Sequence, residues 1–308
     1  MITSGQMLLT RSLMFVPGSK QRMIDKSLGM TNLDVAMYDI EDGVSPQEKP
    51  LARTLVAEML TRARQPHSPS RFVRINGVGS GRDRIDADLS LIRPGLDGLV
   101  VPKVDTTDQL RWIAEEVDRR EKANGMTAGS VRIIAAIESS RGLLNAPQIA
   151  TTSPRVLGLL FGAEDYALDL RLPSNREGEA RELLFARSWF ANAAASGNVE
   201  ALDGVWPDIG DTEGVRRDAL QARRLGMTGK SLFHPSQIDV INESFVPTEA
   251  ELDYARRVVH AFDEAQQRGD GAVAFGGQLL DRPIVERARR TLVVREALSR
   301  RLEGAEGG

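Results

Sequence analysis

The sequence predicts an α/β protein, a (β/α)8 TIM barrel with a C-terminal helical extension, and three observations carry that expectation. Eight short apolar runs recur along the chain, each closed by Gly, Pro or an acidic residue and followed by a segment of helical period. The segments between them are long enough to cross back over a parallel sheet. A polar or turn-forming residue stands directly after every run, where barrel enzymes hold their catalytic groups. A large doubly wound sheet shares much of this pattern, and the count of eight is what favours the barrel.

In order, the runs are Leu13 to Val16, Val35 to Ile40, Phe72 to Ile75, Gly98 to Val101, Val131 to Ile137, Val156 to Phe161, Leu202 to Trp206 and Ser231 to Phe233. The clearest helical stretches between them are Gln47 to Arg64, Thr107 to Ala123, Glu179 to Ala195 and Thr212 to Leu225. Beyond the eighth run the chain continues through a helix from Thr248 to Arg268, the Gly-rich GDGAVAFGG, Asp281 and a last helix ending near Glu303. The expected division is therefore a barrel over 1–245, holding the site, and a helical extension over 246–308.

The 308 residues are 41% hydrophobic and 27% charged, enough for a large core under a charged surface. With 40 basic against 43 acidic residues and 5% aromatics, neither a nucleic-acid footprint nor a base-stacking platform is present. Cysteine is absent, which excludes disulfides, thiolate zinc sites and cysteine nucleophiles and agrees with a reducing compartment. The opening stretch MITSGQMLLTRSLMFV lacks a basic first segment and is interrupted by Arg11, so no signal peptide is expected. No run approaches the roughly 20 apolar residues of a membrane span. A cytoplasmic enzyme or binding protein acting on small molecules, with no membrane partner, is the expectation.

The polar residues that follow the runs supply the candidate site. They are Pro17-Gly18, then Asp39 with Glu41 and Asp42, Arg74 with Asn76, Pro102-Lys103, Glu138, Glu164-Asp165, Pro207-Asp208 and His234-Pro235. Glu138 and Asp165 come from consecutive strands, about 5 Å apart in a sheet, so their carboxylates can converge. Two carboxylates completed by water and a chelating substrate suit Mg²⁺, with Mn²⁺ as an alternative. Arg74 and Lys103 nearby would fit a 2-oxo acid, the metal polarising the ketone and the arginine holding the carboxylate. The same two acids would serve equally as arginine partners or helix caps.

Asp39, Glu41 and Asp42 cannot all ionise close together without cations, so Arg or Lys partners are expected around them, in an outer layer that orients metal-bound water. Lys20, Arg22 and Lys26 on the first helix are spaced to receive phosphates or to form a solvated basic face. Gly77, Gly79 and Gly81 do not keep the spacing of a dinucleotide fingerprint. His234, before a proline, reads as structural. Asp281, two residues before Pro283 at a helix start, is a good N-cap.

The stretches RSLMFVPGS, YDIEDGVSPQEKPLAR, RFVRING, GLVVPKV, IAAIESSRGLLNA, LLFGAEDYALDL, GKSLFHPSQI and LLDRPIVERA occur in this order from Arg11 to about Arg289. Together they resemble the citrate lyase β-subunit-like branch of the HpcH/HpaI aldolase superfamily, and within it the stand-alone citramalyl-CoA and malyl-CoA lyases. The resemblance implies Mg²⁺ on Glu138 and Asp165 and Arg74 on the carboxylate of the 2-oxo acid. It further implies that the tail is a lid over a neighbouring subunit's site in a homotrimer or hexamer, with Asp281 as its acid/base. The implied activity is reversible cleavage of a 3-hydroxyacyl-CoA to acetyl-CoA and pyruvate or glyoxylate, with Lys20, Arg22 and Lys26 against the coenzyme A phosphates. The alternatives it leaves are a malyl-CoA thioesterase or malate synthase activity, or a citrate lyase β subunit acting on a carrier-bound citryl thioester.

Overall fold

Eight parallel strands close into a barrel in chain order. They are β1 (Ser12–Pro17), β2 (Val35–Asp39), β3 (Ser70–Arg74), β4 (Gly98–Val101), β5 (Arg132–Ile137), β6 (Val156–Phe161), β7 (Glu200–Asp203) and β8 (Gly229–Leu232). Closure is made by β1 against β8, with Ser12 beside Lys230 and Met14 beside Leu232. The crossovers carry α1 (Gln21–Leu28), α2 (Lys49–Leu60), α3 (Arg82–Leu89), α4 (Thr107–Ala123), α5 (Ser140–Ala150), α6 (Ala163–Asp169), α7 (Leu184–Ser196) and α8 (Thr212–Arg224), and α9 (Ile238–Ser244) follows β8. The computed structural model describes residues 8–65, 67–173, 180–268 and 273–303.

Successive strand residues alternate between two buried environments. Val16, Tyr38, Val73, Leu99, Ile133 and Leu159 pack outward against helix residues such as Ile24, Val56, Ile113 and Phe190. The intervening Leu13, Met37, Phe72, Val100, Ile134 and Leu160 are buried as well and fill the barrel. With both faces covered, the strands read as unbroken apolar runs rather than as alternation. Gly98 is what makes room for Phe72, since a Cβ there would run into the phenyl ring.

The helix bounds follow local chemistry. Thr106 and Gln109 form a reciprocal capping box at the start of α4, which begins and ends where its pattern predicts. The stretch 179–195 is realised as α7 from Leu184 on, and its portion before 180 lies outside the described residues. The last two strands begin earlier than the apolar runs suggest, at Glu200 and Gly229, and end earlier, at Asp203 and Leu232. A buried cation hides the start of β8. Lys230 is fully enclosed and donates to Asp203 at 2.6 Å and to Asp218, while Arg187 reaches Asp203 at 2.8 Å.

The barrel unit spans Thr10–Phe245, and a separate C-terminal unit begins at Val246. In that second unit a Thr248–Glu251 capping box opens α10 (Glu249–Arg268), and α11 (Arg282–Glu303) follows a short antiparallel hairpin, β9 (Val273–Phe275) and β10 (Gln278–Leu280). Gly276 and Gly277, at φ of +57° and +81°, make its two-residue turn, a geometry that requires positive φ at both positions. Ala255, Val258, Leu280, Val285 and Ala288 form a small core of their own. Among the described residues no helix is long and apolar enough to cross a membrane.

One ion pair ties α4 to the approach to β6. Glu121, 1% exposed, accepts from Arg155 and from the backbone N–H groups of Val131 and Gly129, at 2.7 Å and 2.9 Å. Burial opposes its charge, but these donors outweigh burial and bring its pKa down to about 2. The unfolded chain takes up this proton near 4.5. The stabilisation is therefore complete above that pH and is lost as the pH falls from about 4.5 toward 2. Glu121→Gln should cost on the order of 3 kcal/mol at pH 7 in urea denaturation and much less at pH 3. An equal cost at both pH values would show that the carboxylate charge is not what holds this junction.

Candidate active site

The C-terminal rim of the barrel is organised by the last residues of β2 and β3, which are register partners, Asp39 beside Arg74. That adjacency sets the two side chains in a bidentate pair, Arg74 Nε and Nη2 donating to the Asp39 oxygens at 2.8 Å and 2.7 Å. Asp39 also accepts the backbone N–H groups of Glu41 and Gly43, both at 2.9 Å. The third arginine nitrogen lies 3.1 Å from Glu41. Burial opposes the charge of Arg74, yet Asp39, Glu41 and Glu138 hold its pKa above the usual arginine value. Its guanidinium also sits 4.7 Å from the centre of the Phe15 ring.

Glu41 and Asp42 converge on Lys103, whose ammonium lies 2.7 Å from each. Burial works against that ammonium, and the two acids more than compensate, raising its pKa. Burial raises the Glu41 carboxyl despite Arg74 and Lys103; burial also opposes the charge of Asp42, but its hydrogen bond to Lys103 and the charges of Lys103 and Arg74 together outweigh it and keep that carboxyl below its ordinary value. The backbone at Lys103 is in the left-handed region, at φ +54°. Behind this layer Asn76 bridges Lys49, the Ile40 carbonyl and Asp88, and Arg53 closes on Asp88 at 2.7 Å.

Glu138 follows β5 directly and is 7% exposed, with Oε2 buried and without a hydrogen-bond partner. Burial, reinforced by the charge of Glu41 and only partly offset by Arg74, pushes its pKa up to about 8. Asp165 also raises it, so the two carboxylates lie within electrostatic reach. Asp165 is not at the strand end. It lies in the first turn of α6, exposed to the cavity mouth, because Gly162 turns the chain straight from β6 into the helix. The pair faces an inner pocket of about 130 Å³, walled by Phe15, Arg74, Leu160, Val205 and Phe233.

Two hard oxygen donors, one of them buried and unpaired, fit a small divalent cation that keeps open positions for water and substrate. Among the described residues, no cluster of three or more His, Asp or Glu side chains offers a complete metal cage. Glu138 and Asp165 are the groups that would hold such an ion.

An outer cavity of about 470 Å³ shares Phe15, Arg74 and Phe233 with the inner one and adds Met23, Lys26, Met30, Asp42 and His234. Lys26 is thus at the cavity. Lys20 is exposed and paired with Glu48 at 2.8 Å, and Arg22 lies exposed on α1. His234 Nδ1 accepts from the Ser236 backbone N–H at 3.2 Å and caps the turn that begins α9. Gly77 to Gly81 form a short 3₁₀ turn into α3. Asp281 belongs to the C-terminal unit, is exposed, and caps α11 by accepting from Ile284 N–H at 3.2 Å. Phe15 and Phe233, 5.4 Å apart, are site residues that the polar pattern does not reveal.

Residues 11–235 match the family described as HpcH/HpaI aldolase/citrate lyase. The chain belongs to this family. It is 37% identical over 289 residues to the citrate lyase subunit beta of Leuconostoc mesenteroides subsp. cremoris, covering 94% of each chain. To the mitochondrial citramalyl-CoA lyase of Mus musculus it is 31% identical, covering 92% of this chain and 85% of the other. The CitE protein of Mycobacterium tuberculosis, solved with magnesium, acetoacetate and coenzyme A, aligns with a TM-score of 0.73 at 28% identity over 92% of this chain and 97% of that one. This member of the HpcH/HpaI aldolase/citrate lyase family is accordingly a citrate lyase β-like carbon–carbon lyase.

In this lyase the unpaired carboxylate depends on the glycine beneath it. A Cβ at Gly162 would collide with Glu138 Cγ. Gly162→Ala should cost about 1–3 kcal/mol in urea denaturation as Glu138 is forced from its rotamer. Unchanged stability would mean that the pocket has room to absorb the methyl group.

Proposed function

We propose that this protein cleaves a 3-hydroxyacyl-CoA, citramalyl-CoA or malyl-CoA, to acetyl-CoA and a 2-oxo acid, with Mg²⁺ held by Glu138 and Asp165. The observation that carries the reading is the buried, unpartnered Glu138 oxygen beside Asp165, in a pocket that shares a wall with a larger, mostly apolar cavity. The inner pocket is of a size for a short oxo acid. The outer cavity suits a pantetheine arm, with Lys26 at its side for a phosphate. The CitE protein solved with magnesium, acetoacetate and coenzyme A supports the same pairing of ligands.

In cleavage, the bond between the carbinol carbon and the thioester α-carbon breaks. The hydroxyl proton is lost, the carbinol becomes the ketone, and the electron pair passes to the thioester enolate, which takes up one proton. When bound, the cation supplies Lewis-acid stabilisation of the developing charge on the substrate oxygen. Arg74, pinned along one edge by Asp39, presents its remaining N–H groups to the oxo-acid carboxylate. Lys103, with Glu41 and Asp42, fixes the loop that surrounds this arginine. Asp281 is assigned the proton exchanged with the acetyl carbon and is delivered from the extension of a neighbouring subunit. Its capping of α11 holds the side chain in one orientation and is compatible with that role.

Purified protein with Mg²⁺ should release acetyl-CoA and a 2-oxo acid from citramalyl-CoA or malyl-CoA, and lose this activity on chelation. Asn caps a helix about as well as Asp, so Asp281→Asn should leave stability nearly unchanged while lowering turnover by roughly 100-fold or more. Glu138→Gln should abolish Mg²⁺ binding in calorimetry. Co-expressed Asp281→Asn and Glu138→Gln subunits should regain activity that neither has alone. Free CoA with the intact hydroxy acid would instead identify a thioesterase, and full activity in Asp281→Asn would leave Asp281 as a cap only.

A further inference from the structure

A further cavity, of about 290 Å³, adjoins the loop after β2. It shares Asp42 alone with the outer cavity and no residue with the inner pocket. Its wall is drawn from four places in the chain: Lys49 at the start of α2, Ser80 in the 3₁₀ turn after β3, Arg84 on α3 and Gln109 on α4.

Lys49 is 8% exposed, and its ammonium makes one hydrogen bond among the described residues, to the neutral amide oxygen of Asn76. An ammonium carries three donors, and a buried one is ordinarily matched by a carboxylate. Burial pushes the Lys49 pKa down, and the positive charge of Arg84 pushes it the same way, against the pull of Glu41, Asp88 and Asp42. Arg84 is exposed and has no ion pair among the described residues. Two neighbouring cations therefore line one cleft with no carboxylate in ion-pair contact with either.

The acids of the cleft are already engaged. Glu41 and Asp42 each hold Lys103 at 2.7 Å, and Asp105 accepts from the Ser139 hydroxyl. Among the described residues they do not combine into a metal cage. The remaining polar groups are donors. Gln109 Oε1 is taken by the backbone N–H groups of Asp105 and Thr106, at 2.8 Å and 3.0 Å, which leaves its amide N–H groups. The Ser80 hydroxyl has no hydrogen-bond partner among the described residues. A planar carboxylate engages donors along one edge, whereas a tetrahedral phosphoryl group has oxygens for donors arriving from several elements.

We propose that this cleft binds a phosphoryl group, carried by inorganic phosphate or by a small phosphomonoester, between Lys49 and Arg84 and apart from the cavity assigned to the acyl-CoA. The ligand would lie beside the loop that holds Arg74 without entering the active site.

The test is calorimetric titration of the full chain with inorganic phosphate and with glycerol 1-phosphate at constant ionic strength, repeated with saturating coenzyme A. Saturable binding is expected for at least one titrant and should be unaffected by coenzyme A; the tighter titrant identifies the source of the phosphoryl group. Arg84→Ala, a change at an exposed position, should weaken binding about tenfold or more, and Arg84→Glu should abolish it. No saturable binding of either titrant would overturn the assignment. So would binding undiminished in a folded Arg84→Glu protein, or displacement by coenzyme A, which would make the cleft part of the coenzyme's own site. None of these outcomes depends on the lyase reading.

Discussion

A buried carboxylate keeps its charge only where donors surround it, and Asp39 is surrounded by four: two guanidinium N–H groups of Arg74 and the backbone N–H groups of Glu41 and Gly43. Each of those donors is thereby fixed in turn. The backbone contacts curl the loop after β2 so that Glu41 lies beside Arg74 and Glu41 and Asp42 meet Lys103. The side-chain contacts hold the Arg74 guanidinium over the Phe15 ring. Parallel register makes this possible, since Asp39 and Arg74 are neighbours across the β2–β3 pair and need no loop to bring them together. Gly43 belongs to the same arrangement, because any side chain there would strike the Asp39 carboxylate.

Asp39 and Glu138 are two acids of this rim that differ in their partners. Both are buried, but Glu138 has an oxygen with no donor and a carboxyl pushed up to about 8. Natural interiors seldom leave such a group unsatisfied. A cation held there, as proposed above, would remove that penalty. The Lys230, Arg187, Asp203 and Asp218 network shows the opposite solution, with its cations enclosed from the start. Its lysine also donates to the Gly204 carbonyl beside the inner pocket.

Much of this was readable from residue order. The eight strands, the positions of Arg74, Glu138 and Lys103 at their ends, and the bounds of α4 follow from apolar runs and capping chemistry. What escaped had physical reasons. Strand β8 starts at Gly229 and contains a lysine, so a hydrophobic criterion sees it late, although the lysine is buried by two aspartates from other elements. Asp165 lies a helical turn beyond the strand because a glycine lets the chain bend at once. The Gly276-Gly277 pair looked like loop and is a two-residue hairpin, too short for a periodic signal. Phe15 and Phe233 are invisible to a search for polar groups, yet strand parity alone places Phe15 on the inward face.

Lys103 holds a backbone conformation that a non-glycine residue adopts at a cost of order 1–3 kcal/mol, and two ion pairs at its side chain keep it there. Dissolved ions compete for the pair with Asp42, whose side chain is 62% exposed, far more than for the pair with Glu41, which is 5% exposed. Salt thus loosens the outer of the two restraints on the loop after β4 and leaves the inner one, on Glu41, largely in place. A glycine at the same position would be at ease in that conformation and would lose the coupling.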